Sequence, residues 1–118
     1  MTPNDLRFLL KEKYHYSELQ ISQFNTIEMQ IPAPIKRDIE KLKSGHPLAY
    51  IIGYTEFLDL KIDLSLKPLI PRAETEYWVN DFLHKSKFKN GNKILDIFCG
   101  SGCIGLAVWK YLASKNLR

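Results

Sequence analysis

The sequence has 118 residues, 45% hydrophobic and 25% charged, the balance of an ordinary globular protein within one typical domain length. Its 17 Lys+Arg against 13 Asp+Glu give a net charge of +4, spread without a block of like charges, so no direct nucleic-acid binding is indicated. There is no run of about 18 uncharged apolar residues, and MTPNDLRFLLKEKYHY at the start lacks an apolar signal core, which argues against a membrane span and for the cytoplasm.

Thr2-Pro3-Asn4-Asp5 predicts a helix start, with Thr2 as N-cap, Pro3 at the first position and Asp5 at the third. Leu6, Leu9, Leu10 and Lys13 then follow one face, so this helix is expected to run to about Tyr14. Ser17-Glu18-Leu19-Gln20 is a second capping box, opening an amphipathic stretch through Phe24, Ile27 and Met29. Pro32 and Pro34 interrupt it. Ile35, Ile39 and Leu42, at i, i+4 and i+7, predict a third helix ending at Ser44-Gly45. Three short helices whose apolar stripes need partners predict a helical bundle. Nothing in it reads as catalytic, and His15 is expected at its surface.

A single helical turn is expected between Gly45 and Gly53. Tyr54–Phe57 and Leu60–Ser65 then predict a β-hairpin, because the second run alternates apolar and polar residues. Its turn, Leu58-Asp59, lacks the favoured Asn-Gly or Asp-Gly. His46, between a glycine and a proline, reads as a turn residue, since no partner fixes its tautomer. Next, Leu69-Ile70-Pro71-Arg72-Ala73-Glu74-Thr75-Glu76 leads into a helix carrying Tyr77, Trp78, Val79, Phe82 and Leu83. Acids in a first turn complement the helix dipole. That explains Glu74, Thr75 and Glu76, but not Arg72, a cation at the wrong end of a helix.

Lys93–Gly105, KILDIFCGSGCIG, concentrates the chemistry. Ile94–Ile97 reads as a short buried strand carrying Asp96, Cys99-Gly100-Ser101-Gly102 as a turn, and Ile104, Leu106, Ala107, Val108, Tyr111 and Leu112 as a helix. Glycines permit a sharp turn and close approach of a ligand to the backbone, and the helix N-terminus offers free N–H groups. Gly100–Gly105 also fits the dinucleotide pattern G-x-G-x-x-G, a weak match by itself. Cys99 and Cys103, with no further Cys or His cluster, do not make a zinc site.

Asp96, four residues before Gly100, changes that reading. Asp-x-x-x-Gly-x-Gly after a strand resembles the first motif of class I S-adenosylmethionine-dependent methyltransferases. The resemblance implies that Asp96, Phe98, Cys99, Gly100, Ser101 and Gly102 bind the cofactor, S-adenosyl-L-methionine, with the glycine turn beneath its methionine part and the acid supporting the loop and the methionine amino group. One departure is Phe98, where that family usually has glycine. It is expected to keep a negative φ, with its ring against the cofactor or a neighbouring helix.

Gly45–Phe57, Leu69–Glu76 and Asp96–Ile104, in this order and spacing, resemble the HemK/PrmC family of release-factor glutamine methyltransferases. This implies an α/β architecture: a helical substrate-recognition domain over 1–53, a β-hairpin linker over 54–68, and from 69 the first strand–turn–helix of a Rossmann-like methyltransferase domain. It also implies a peptide chain release factor as protein substrate, a monomeric enzyme and a role in translation termination. Arg72, Glu74 and Thr75 would lie beside the cofactor and substrate pocket. The family's ribose-holding acid and its Asn-Pro-Pro-Tyr are expected beyond Arg118, so the chain is expected to be part of a longer enzyme and inactive alone. Two other functions stay open: methylation of another protein or nucleic acid, and a non-catalytic partner-binding helical module.

Overall fold

Thr2 sets where the first element begins. Its hydroxyl accepts the Asp5 N–H at 3.2 Å, and the Asp5 carboxylate accepts the Thr2 N–H at 2.6 Å. This reciprocal box opens α1, Pro3–Tyr14. His15, exposed, closes it at φ 57 in the left-handed region. The second box also forms, with Ser17 Oγ accepting the Gln20 N–H at 3.3 Å and Gln20 Oε1 accepting the Ser17 N–H at 2.8 Å. It opens α2, Glu18–Phe24. The computed structural model describes residues 1–24 and 31–117, so the expected continuation of α2 through Ile27 and Met29 lies outside the described residues. Pro34 sits in the first turn of α3, Ala33–Lys43, where a missing N–H costs nothing, and Ser44 caps its end. α4, Leu48–Ile52, is the single turn expected between the glycines.

The chain divides into two compact units, Met1–Gly53 and Tyr54–Arg118. In the first, Leu9 and Leu10 of α1 pack with Ile35, Ile39 and Leu42 of α3 and Ile51 of α4. Among the described residues, one charge is buried there. Asp38 is 4% exposed, and its carboxylate accepts from Lys13 Nζ at 2.6 Å, the Tyr14 hydroxyl at 2.8 Å and Lys41 Nζ at 3.3 Å. Burial pushes the Asp38 carboxyl up, but the three donors outweigh it and hold the group below its ordinary value. Burial, then the bond to Asp38, pushes the Tyr14 phenol up to about 12. Lys13 Nζ also donates to the Ile51 carbonyl at 2.7 Å, so one ammonium joins α1, α3 and α4.

In the second unit, β1 (Tyr54–Phe57) pairs antiparallel with β2 (Leu60–Asp63), with Tyr54 opposite Asp63 and Phe57 opposite Leu60. The alternation expected for β2 holds: Ile62 and Leu64 are buried, Lys61 and Asp63 exposed. The inner face, Phe57 and Ile62, packs on Val79 and Leu83 of α5 (Ala73–Lys85) and on Cys103, Ala107 and Val108 of α6 (Cys103–Ser114). Helices and a two-stranded sheet thus share one core.

The strand expected over Ile94–Ile97 is not formed. This segment makes no sheet pairing among the described residues, and Leu95 is 82% exposed. A strand needs a neighbour for its N–H and C=O groups, and the hairpin pairs only with itself.

Candidate functional site

The glycine turn is set by backbone dihedrals. Gly100 has φ +56 and Gly102 φ +73, and a Cβ added to either meets no heavy atom closer than 4.0 Å. Packing does not demand glycine there; the left-handed conformation does. The Gly102 N–H closes the turn on the Cys99 carbonyl at 2.8 Å. Gly102 is then the N-cap of α6 and has no side chain to offer the helix.

Asp96 supplies what Gly102 lacks. Its Oδ2 accepts the Gly105 N–H, at the third helical position, over 3.2 Å, and its charge stands at the positive end of the helix dipole. Gly105 leaves room for it, since an added Cβ would sit 3.4 Å from that oxygen. The N–H groups of Cys103 and Ile104 precede this bond, and helix geometry gives them no intrahelical acceptor. The result is a turn with a bare backbone, two N–H groups without an intrahelical acceptor and one fixed carboxylate. These features suit a ligand with both a cationic and an anionic group, such as an amino acid moiety.

Phe98 corrects an expectation. Its φ is +59, not negative, and the residue is 99% exposed, packed against neither a helix nor the core. The chain reverses just after Asp96, and that reversal needs a left-handed residue, which a glycine would provide without strain. Cys99 is exposed and Cys103 buried in the core. Among the described residues, no cluster of three or more His, Cys, Asp or Glu is arranged to hold a metal.

The other expected site residues start α5. Arg72 is its N-cap in extended conformation, with an exposed side chain that makes no capping bond. Glu74 is exposed and Thr75 half-buried, its N–H donated to the Arg72 carbonyl at 3.0 Å. The structure brings Asp96 together with the helix that follows Gly100–Gly102. Arg72, Glu74 and Thr75 belong to a different helix start. Glu76, which also complements the helix dipole, accepts the Leu58 N–H on its Oε1 at 2.7 Å, a contact its place in the sequence does not announce. Lys110 Nζ donates to the Asp59 carbonyl at 2.9 Å and the Leu58 carbonyl at 3.4 Å. The signal for both was the hairpin turn without glycine, which needs support from outside itself.

Known proteins with similar sequences narrow the chemistry. The chain is 46% identical over 78 residues to the release factor glutamine methyltransferase of Thermodesulfovibrio yellowstonii, covering 64% of this chain and 28% of the relative. It is 50% identical over 73 residues to the protein of that name from Buchnera aphidicola, covering 62% and 26%. It is 32% identical over 118 residues to the one from Fusobacterium nucleatum, covering 92% and 33%. The chain is related in sequence to the release factor glutamine methyltransferases. It spans about a quarter to a third of the length of these relatives. No family model and no solved structure matches it.

Proposed function

We propose that this chain carries the cofactor turn of an S-adenosyl-L-methionine-dependent methyltransferase that acts on the glutamine side-chain amide of peptide chain release factors. The observation that carries the proposal is the pairing of two left-handed glycines, Gly100 and Gly102, with a carboxylate fixed at the start of α6. The sequence relationship to enzymes of that name supports it. When bound, S-adenosyl-L-methionine supplies a methyl group activated on a sulfonium sulfur. The chain's part is binding. Gly100 and Gly102 would let the backbone lie against the methionine portion, and the second oxygen of Asp96 would receive its amino group. The N–H groups of Cys103 and Ile104, which lack an intrahelical acceptor, would be offered to its carboxylate.

An amide nitrogen is a poor nucleophile because its lone pair is delocalised, so transfer depends on orientation and hydrogen bonding of the amide more than on a strong base. Arg72 and Glu74, exposed at the start of α5, are assigned to the pocket wall, with Thr75 behind them. The bundle over 1–53 is assigned to recognition of the protein substrate, and the whole enzyme to the cytoplasm as a monomer. For the 118-residue polypeptide by itself we expect cofactor contact without transfer, since it holds no Asn-Pro-Pro-Tyr to orient the amide.

The test is a titration of the isotopically labelled chain with S-adenosyl-L-homocysteine, followed by amide shifts. Perturbations should centre on Asp96–Gly105. A titration that moves no amide in that stretch, or only amides of the bundle, overturns the proposal.

A further inference from the structure

The hairpin turn is held by bonds that its own sequence does not provide. Leu58 has φ 47 and Asp59 φ 58, the mirror-image turn that favours Asn-Gly because both central residues must be left-handed. Leucine is poorly suited to that conformation. Three backbone groups of the turn are nevertheless taken by side chains from two helices. The Leu58 N–H goes to Glu76 in the first turn of α5, and the Leu58 and Asp59 carbonyls accept from Lys110 on α6. Apolar packing does not do this work alone. The tip stands beside a cavity of about 200 Å³ whose lining includes Leu58, Asp59, Leu83, Ala107, Lys110 and Tyr111.

Both helices begin at candidate ligand-binding stretches. Arg72–Thr75 lies one turn or less before Glu76, and Gly100–Gly102 leads directly into the helix that carries Lys110. We propose that Glu76 and Lys110 are positioning residues: they latch the strained hairpin tip to both helices and so hold Arg72–Thr75 and the glycine turn at a fixed separation. This rests on the methyltransferase reading for its purpose, but the latch itself can be tested without any ligand.

The experiment is amide hydrogen exchange on the chain and on Glu76→Ala, Glu76→Gln and Lys110→Met, each with the native turn and with Leu58→Asn/Asp59→Gly. A hydrogen bond to a charged group is lost in Glu76→Ala, so exchange should quicken by at least about tenfold. It should do so together at Leu58, at Thr75 in the first turn of α5 and at Gly105 in that of α6. Glu76→Gln keeps an acceptor oxygen and should recover most of the protection. The Asn-Gly turn should recover it at Thr75 and Gly105 even in Glu76→Ala, because the strain that the latch opposes is gone, whereas the amide of residue 58, left without its acceptor, should stay fast. Lys110→Met, an exposed helical substitution that leaves the core intact, should quicken the same three amides. Quickening at Leu58 alone would overturn the positioning role, and so would failure of the Asn-Gly turn to rescue. No change at Leu58 would overturn the latch altogether. Absence of shifts with S-adenosyl-L-homocysteine in the unmodified chain would count against the methyltransferase reading and leave these exchange results standing.

Discussion

Phe98→Gly should stabilise the second unit, although it removes a large aromatic side chain. With 99% of the residue exposed and φ at +59, almost no buried surface is lost and a left-handed strain is relieved. That strain is about 1–2 kcal/mol for a residue with a Cβ. Against it stands the greater freedom of glycine in the unfolded chain, about 0.5–1 kcal/mol. The balance favours the variant by about 0.5–1 kcal/mol, and for a unit of this size each kcal/mol moves Tm by about 4–8 °C. A rise of about 2–8 °C is expected. Both tryptophans, Trp78 and Trp109, lie in the second unit, so their fluorescence reports its unfolding without a contribution from the bundle. Phe98→Ala is the control. It removes the ring but keeps the Cβ and the strain, and it should not raise Tm. A fall in Tm for Phe98→Gly, or an equal rise for both variants, would refute the strain account and mean that the ring or its exposure decides.

Asp96→Ala should cost about 1 kcal/mol of second-unit stability in chemical unfolding, the usual loss of a helix-capping acceptor; an unchanged midpoint would show that its bond to Gly105 contributes nothing. Gly102→Ala, forced to φ +73, should destabilise by about 1–2 kcal/mol, whereas Gly102→Asn, which tolerates that conformation, should recover part of the loss; equal losses would point to space and not dihedral. In the bundle, the Asp38 carboxyl is held below its ordinary value, so its contribution is present above the unfolded value of about 4 and is lost as pH falls below it. Asp38→Asn should flatten that acid limb of a stability profile. Tyr14 has the opposite sign: its phenol is pushed up to about 12, so its contribution is full below about pH 10 and lost as pH rises from there toward 12, and Tyr14→Phe should remove this alkaline decline. Leu95, Leu106 and Trp109 are exposed, so Leu95→Lys/Trp109→Lys should reduce self-association of the 118-residue polypeptide in sedimentation; an unmodified chain that stays monomeric at high concentration would contradict this.

Much of the fold was legible because its signals are satisfied locally. Thr2 and Asp5, or Ser17 and Gln20, find their partners three residues away, so the pattern in the sequence is already the geometry. Ile35, Ile39 and Leu42 share a face whatever they pack against, and β2 could be read from alternation because one side of the hairpin is covered. Phe98 was harder. Its φ follows from the route of the backbone between Asp96 and Gly102, and a phenylalanine carries no letter-level sign of a left-handed position. The Asp38 centre was likewise invisible. Lys13 and Asp38 lie 25 residues apart on different helices, and only the tertiary packing of the bundle brings them to 2.6 Å.

Ile94–Ile97 marks the boundary between the two kinds of inference. Its apolar run has the composition of a strand, but composition specifies only the tendency, and pairing requires a second backbone at hydrogen-bonding distance. The hairpin does not provide one, so the residues stand exposed although their sequence asks for burial. Asp96 behaves differently within the same four residues, because its requirement is met by a single N–H nine positions on. The carboxylate, the two left-handed glycines and the start of α6, the proposed site, therefore depend on contacts inside one short stretch and not on a finished sheet. A ligand that recognises this turn should then perturb it in the 118-residue chain even where Ile94–Ile97 remains unpaired, which is why the titration of amides at Asp96–Gly105 is the decisive measurement.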